Sequence, residues 1–173
     1  MTDTHEIGEM LHDEHLHTLA FANALETRIF EGRGRPLDPA NAADAAFIDT
    51  LLAVIDEDIE GHFRFEEEVL FPKVNDAGLN DVTAMLADEH QLIRTMADDL
   101  RSLAIAARAG ERDPAQWTQF RDVAMDFIHA TMFHIQKEEM GIIRSLSVTL
   151  GAETGRSMAA DYATRKGSPP AGP

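Results

Sequence analysis

The chain of 173 residues has no cysteine, one tryptophan, one tyrosine, and only 15 lysines and arginines against 31 aspartates and glutamates. Without cysteine there is neither a disulfide framework nor a thiolate metal site, so any bound metal must be held by imidazole and carboxylate. The shortage of basic residues leaves a formal net charge of -16, which repels phosphate backbones and anionic lipid surfaces; no nucleic-acid or membrane partner is expected. Met1 to Met10 contain no apolar signal core, and no run approaches the roughly 18 apolar residues of a membrane span, so a cytoplasmic protein is expected. Period-two alternation is missing as well, which argues against strands.

What the chain does contain is histidine in a repeated pattern. Glu14-His15 recurs 75 residues later as Glu89-His90. Each copy is followed by a His-x-x-x-Glu pair, His62/Glu66 and then His134/Glu138, offset by 72. Asp38-Pro39-Ala40 and Asp113-Pro114-Ala115 are again 75 apart. The chain is therefore an internal duplication whose repeated residues are metal-ligand types, with a three-residue length difference between the halves.

Apolar spacing places these residues on helices. Ile7, Leu11, Ala22, Leu25 and Ile29 form one stripe that includes His15. Gly32-Arg33-Gly34-Arg35-Pro36 stops that helix, and Asp38-Pro39 reads as the N-cap and first turn of the next. There Ile48, Leu52, Ile55, Ile59, His62, Glu66 and Leu70 share a face, and Pro72 is expected to end the run. Asn75-Asp76-Ala77-Gly78 leads to a third helix with Val82, Leu86, His90, Ile93, Ala97 and Leu100 inward. Asp113-Pro114 starts a fourth, striped by Trp117, Phe120, Ala124, Phe127, Thr131, His134, Glu138 and Ile142. The pattern predicts an all-α fold, an antiparallel up-down four-helix bundle over residues 1–147, with a short helical extension at 148–165 and a disordered tail at 166–173.

Four imidazoles and two carboxylates then face one interior. Residues four apart on a helix differ by about 40° in azimuth and about 6 Å in rise, so each His-x-x-x-Glu pair presents both groups to one centre. Buried ionised carboxylates are costly without a cation, and a metal pair bridged by Glu66 and Glu138 would neutralise them. A metal-free helical interaction protein is the alternative, and it leaves the joint burial unexplained. His12 and His17 match Ala87 and Leu92 in the second half and are read as surface or supporting groups. His129 lies about 140° around its helix from His134 and is not expected to be a ligand. Glu67, Glu68 and Glu139 read as a solvated acidic face, Glu14 and Glu89 as groups that orient a neighbouring ligand.

The series Glu14-His15, His62-x-x-x-Glu66-Glu67-x-x-Leu70-Phe71-Pro72, Glu89-His90 and His134-x-x-x-Glu138-Glu139 resembles the hemerythrin-like HHE cation-binding family, over roughly Glu6 to Ser147. The resemblance implies a non-haem di-iron centre with an oxo or hydroxo bridge and His15, His62, Glu66, His90, His134 and Glu138 as ligands. Manganese or zinc would suit the same donors. Classical respiratory members carry a second histidine four after the third-helix one; here that residue is Arg94. The fourth helix also has Ile142-Ile143-Arg144 in place of Leu-Phe-Pro.

Two octahedral irons offer about twelve positions, of which four His, two bridging Glu and one bridge leave about two open, against about one in a five-His site. That favours turnover, sensing or another ligand over reversible oxygen carriage, unless a further carboxylate or Tyr162 fills the gap. The expected function is a di-iron protein binding oxygen, nitric oxide or iron as carrier, store or sensor. The alternative is an enzyme that decomposes peroxide or oxidises ferrous iron. Ferritin-like chemistry ranks lower, because it calls for Glu-x-x-His order. Oligomeric state stays open.

Overall fold

The computed structural model describes residues 6–31, 35–111 and 113–166, and among these every regular element is a helix. Helix α1 spans Glu6–Glu31, and Gly32, Arg33 and Gly34 of the segment expected to stop it lie outside the described residues. Helix α2 runs through 42–75 without a break, although its winding changes along the way. It is α-helical over Ala42–Ala53, π-helical over Val54–Glu60, α-helical over Gly61–Phe65, π-helical over Glu66–Leu70 and α-helical again over Phe71–Asn75. Helices α3 (Asn80–Arg108), α4 (Pro114–Gly141) and α5 (Ala152–Lys166) follow, with a 3-10 turn and a short helical turn between the last two.

Three boundaries correct the sequence expectations. The N-cap of α2 is Asn41, whose Oδ1 accepts from the Ala43 and Asp44 amides at 2.9 and 3.2 Å. Asp38 instead closes a local turn on the Ala40 amide at 2.9 Å, the same bond that Asp113 makes to Ala115 at 2.9 Å. In the second half that turn opens directly into the helix; in the first half a further turn intervenes. His62 stands 20 residues after Ala42, and His134 stands 20 after Pro114, so the three-residue difference lies in this turn and leaves the ligand positions unaffected.

Pro72 does not end α2. The π-helical turn before it relaxes the register in which the proline ring would meet the carbonyl four residues back, and the helix continues to Asn75. The other π-helical stretch rotates the preceding face, so Leu51 and not Leu52 is the fully buried position. The expected tail lies outside the described residues except Lys166, which is helical.

Side-chain pairs fix how the helices face. Arg28 pairs with Asp44 and Glu14 with His62 between α1 and α2. Arg94 pairs with Glu60 and Arg108 with Asp49 between α2 and α3. Glu89 meets His134 between α3 and α4, and His15 meets Glu139 between α1 and α4. At the first two interfaces the numbers rise on one helix as they fall on the other, so α1 and α3 each run antiparallel to α2, and the four contacts close into a ring.

The interior divides into two apolar clusters. One holds Leu25, Ile29, Ile48, Leu51, Leu100 and Phe120 at the far end. The other holds Leu11, Phe65, Leu70, Leu86, Met158 and Tyr162 and is covered by α5. Between them lies a layer of buried polar groups. No described helix is long and apolar enough to cross a membrane.

Candidate metal centre

That polar layer is made of the six residues singled out above. His15, His62, Glu66, His90, His134 and Glu138 are all buried, and Glu66, His90 and Glu138 have no exposed surface at all. The inward stripes place one histidine on each of α1 to α4, with the two carboxylates one turn further toward the α5 end.

The Nε2 atoms converge. His62 Nε2 is 3.0 Å from Glu66 Oε1, His15 Nε2 is 3.2 Å from Glu138 Oε2, and His90 Nε2 is 3.2 Å from Glu66 Oε2. The Nε2 atoms of His90 and His134 are 3.2 Å apart. Despite these short distances, Nε2 of His15 and His62 and all four oxygens of Glu66 and Glu138 make no hydrogen bond. Buried polar atoms without partners cost about 1–3 kcal/mol each, more when charged. Six in one layer call for a cation.

The spacing suits one. Ligand atoms of His15, His62, Glu66 and Glu138 all lie within 4.8 Å of one another, as do those of Glu66, His90 and His134. Donors about 2.1 Å from an octahedral ion stand about 3 Å apart when adjacent and about 4.2 Å apart when opposite, so each group fits around one ion after a small contraction. Glu66 belongs to both groups and would serve two ions, whereas Glu138, expected to bridge as well, belongs only to the first.

The outward-facing ring nitrogens are held just as systematically. His62 Nδ1 meets Glu14 at 2.8 Å, His90 Nδ1 meets Glu67 at 2.8 Å, His134 Nδ1 meets Glu89 at 3.2 Å, and His15 Nδ1 meets Glu139 at 2.7 Å. Each carboxylate reaches the imidazole of the next helix, α1 to α2, α2 to α3, α3 to α4, and α4 back to α1. With Nδ1 donating to a carboxylate, Nε2 is left as the free lone pair a metal needs. Each carboxylate has its own support: Glu67 accepts from Arg94 at 2.7 Å, Glu139 from His12 at 2.9 Å, Glu89 from Lys137, and Glu14 from Tyr162 and Lys166.

Glu14 and Glu89 thus orient ligands as expected, but on the following helix and not beside themselves. Glu67 and Glu139 correct the sequence reading: they are half-buried imidazole partners, and only Glu68 remains on the solvated face, paired with Arg165 at 2.8 Å. The duplication already held the signal, since Glu67 and Glu139 are matched across the halves while Glu68 is matched by Met140. Of the two histidines read as surface or supporting groups, His17 is exposed and His12 supports Glu139; His129, not expected to be a ligand, is exposed too. Arg94 turns to Glu67 and Glu60 and lies over the Phe63 ring at 5.5 Å. Phe63 in turn stacks on His90 with centroids 3.8 Å apart. Tyr162 stands behind His62, its hydroxyl 3.4 Å from Nδ1 and bonded to Glu14, and so does not fill the open position.

Charge in the metal-free chain is unevenly shared. Burial lifts Glu138 to about 7, reinforced by the negative charge of Glu66. Burial opposes the ionised form of Glu66 too, yet the charge of the adjacent His62 pulls it well below the usual range. Burial disfavours the His15 cation, but Glu138 and Glu139 outweigh it and raise the group to about 9; His62 is raised likewise by Glu66 and Glu14. His134 goes the other way, to about 4, because burial and the nearby His90 dominate over its carboxylates. The His15 and His62 imidazoles therefore hold protons where the His134 imidazole does not.

The hemerythrin HHE cation binding domain matches residues 6–146. Among curated proteins, "Uncharacterized protein Rv1995" of Mycobacterium tuberculosis and "Uncharacterized protein Mb2018" of Mycobacterium bovis are each 31% identical to this chain over 102 residues, which is 58% of this chain and 39% of their own length. With a match over nearly all of α1 to α4 and buried His/Glu clusters of metal-binding type, the chain belongs to the hemerythrin HHE cation-binding domain family.

Proposed function

We propose that His15, His62, Glu66, His90, His134 and Glu138 hold two non-haem iron ions joined by an oxo or hydroxo bridge. The protein would bind dioxygen, nitric oxide or iron itself as a carrier, store or sensor. The observation that carries this is the set of unpartnered Nε2 and carboxylate atoms, backed on every imidazole by a carboxylate on Nδ1. Two such ions would supply a reducible site for a small oxidant or a diatomic ligand. The chain's part is to fix four lone pairs, neutralise the ions with Glu66 and Glu138, and keep bulk water out with Phe63, Phe65 and Phe71.

A second reading, an enzyme that decomposes peroxide or oxidises ferrous iron, is favoured by Arg94. It replaces a fifth imidazole and faces Glu67 and Glu60, so an exchangeable position is left at the centre. Metal analysis with optical spectra before and after dioxygen and peroxide tests both readings. About two ions per chain are expected after iron-replete expression, because four imidazoles and two carboxylates exceed the needs of one. At most one firmly held ion would overturn the dinuclear reading, and rapid catalytic loss of peroxide would select the enzyme over the binder.

A further inference from the structure

The four carboxylate–imidazole pairs are not supported alike. Arg94, Lys137 and His12, which hold Glu67, Glu89 and Glu139, all belong to helices of the matched bundle. The partners of Glu14 come from α5, which lies beyond the family match at 6–146. Tyr162 donates its hydroxyl to Glu14 Oε2, and Lys166 donates to Glu14 Oε1. Tyr162 also brings its hydroxyl to 3.4 Å from His62 Nδ1.

The tyrosine is firmly seated. It is 2% exposed, its ring lies 4.3 Å from Phe65 and edge-on to His62 at 6.4 Å, and Met158 and Ala159 share its buried face. Lys166 also approaches Asp58 at 3.6 Å, and Arg165 bonds Glu68 at 2.8 Å. The last two turns of α5 are thus latched to α2 on both sides of His62 and Glu66.

We propose that Tyr162 is a positioning residue for His62, acting through Glu14, so that α5 forms part of the metal site and makes the ion on His15 and His62 respond to it more than the ion on His90 and His134. The inference rests on the dimetal reading above. A carboxylate that accepts from a phenol and an ammonium is fixed in direction, and it fixes the imidazole it accepts from. Loss of such outer partners typically lowers metal affinity about 10–100-fold.

The test is Tyr162→Phe in the full chain, which keeps the ring packed on Phe65 and removes only the hydroxyl. Load wild type and variant with cobalt(II) alone and record the exchangeable, paramagnetically shifted Nδ1–H resonances of the ligand histidines, then compete the metal away with a chelator. One of four resonances should shift and exchange faster in the variant, and one of two ions should leave at about 10–100-fold lower chelator concentration. Glu14→Gln should move the same resonance further. Superimposable spectra and release curves, or four resonances moving together, would overturn the positioning role. A wild type that takes up fewer than two cobalt ions would instead bring down the dimetal reading, and the proposal with it.

Discussion

Two levels of the helical ring, the far apolar cluster and the polar layer, are stabilised by different physics. At the far end, Leu25, Ile29, Ile48, Leu51, Leu100 and Phe120 pack together, and buried Asp44 is engaged by Arg28, Arg35 and the Asp38 amide. In the polar layer, six ionisable groups are buried together and their inner atoms face one another unpaired. Apolar burial is indifferent to metal and nearly so to pH. The polar layer should depend on both. The comparison teaches that the duplicated helices keep their fold in an apolar level and spend it on a site in the polar level beside it.

The strongest way to break the comparison is to remove a bridge. Glu66→Ala leaves both candidate ion positions short of a carboxylate, so metal should be essentially lost, whereas His17→Ala and His129→Ala, both exposed, should retain it. Elemental analysis of the three purified variants decides this; full metal in Glu66→Ala would remove the shared-bridge geometry. At the opposite end, Leu100→Ala should lower stability by about 2–5 kcal/mol through cavity formation while metal content stays at the wild-type level. Urea titrations with and without metal check it. A variant that also lost its metal would show that the far cluster and the site are one cooperative unit.

A smaller effect separates three adjacent-looking acids. Glu67→Gln and Glu139→Gln should each weaken metal retention about 10–100-fold, because a neutral amide no longer anchors the Nδ1–H of His90 or His15. Glu68→Gln should leave retention unchanged, since it touches only exposed Arg165. Competition with a chromophoric chelator ranks all three, and equal behaviour would return Glu67 and Glu139 to the solvated face.

That ranking also marks where sequence reasoning reached and where it stopped. Helical periodicity placed His15, His62, His90 and His134 inward, because the stripe is a property of one helix and each residue can be judged alone. The all-helical class and the Asp113-Pro114 start followed from equally local rules. Relations between helices were harder. Which Glu serves which His depends on neighbouring helices meeting at the right level, and nothing local tells Glu67 from Glu68; only the duplication does, by matching Glu67 to Glu139. Pro72 misled for a different reason. The rule that proline stops a helix assumes α-helical register, and the π-helical turn at Glu66–Leu70 suspends it. Tyr162 enters the sequence reading as a group that could fill the open coordination position, and its place behind His62 requires knowing how α5 folds back.

The smallest expected effect is a pH dependence confined to the metal-free chain. Glu138, raised to about 7, is harder to ionise in the fold than in the unfolded chain, so its ionisation erodes stability as pH rises from about 4.5 through 7. His15, raised to about 9, contributes stability that is complete below about 6.5 and lost as pH climbs through 9. Both act in the same direction. Glu14, lowered to about 2, works at the other extreme: its contribution is present above about 4.5 and disappears as pH falls through 2. His134, lowered to about 4, adds a cost as pH drops from about 6.5 toward 4. Chelator-treated protein should therefore be most stable in mildly acidic solution, and its thermal midpoint should fall between pH 6 and 9 by a few degrees, at about 2–4 °C per kcal/mol for a chain of this size. Metal requires neutral imidazoles and ionised carboxylates, so loading should displace the protons on His15, His62 and Glu138 and abolish the alkaline decline. Thermal scans of chelated and reloaded protein at pH 6, 7.5 and 9, together with indicator-dye detection of protons released on loading near pH 7, measure the two sides of one linkage. A metal-free midpoint that is flat or rising with pH, or loading without proton release, would show that the layer is not charged in the way its contacts require.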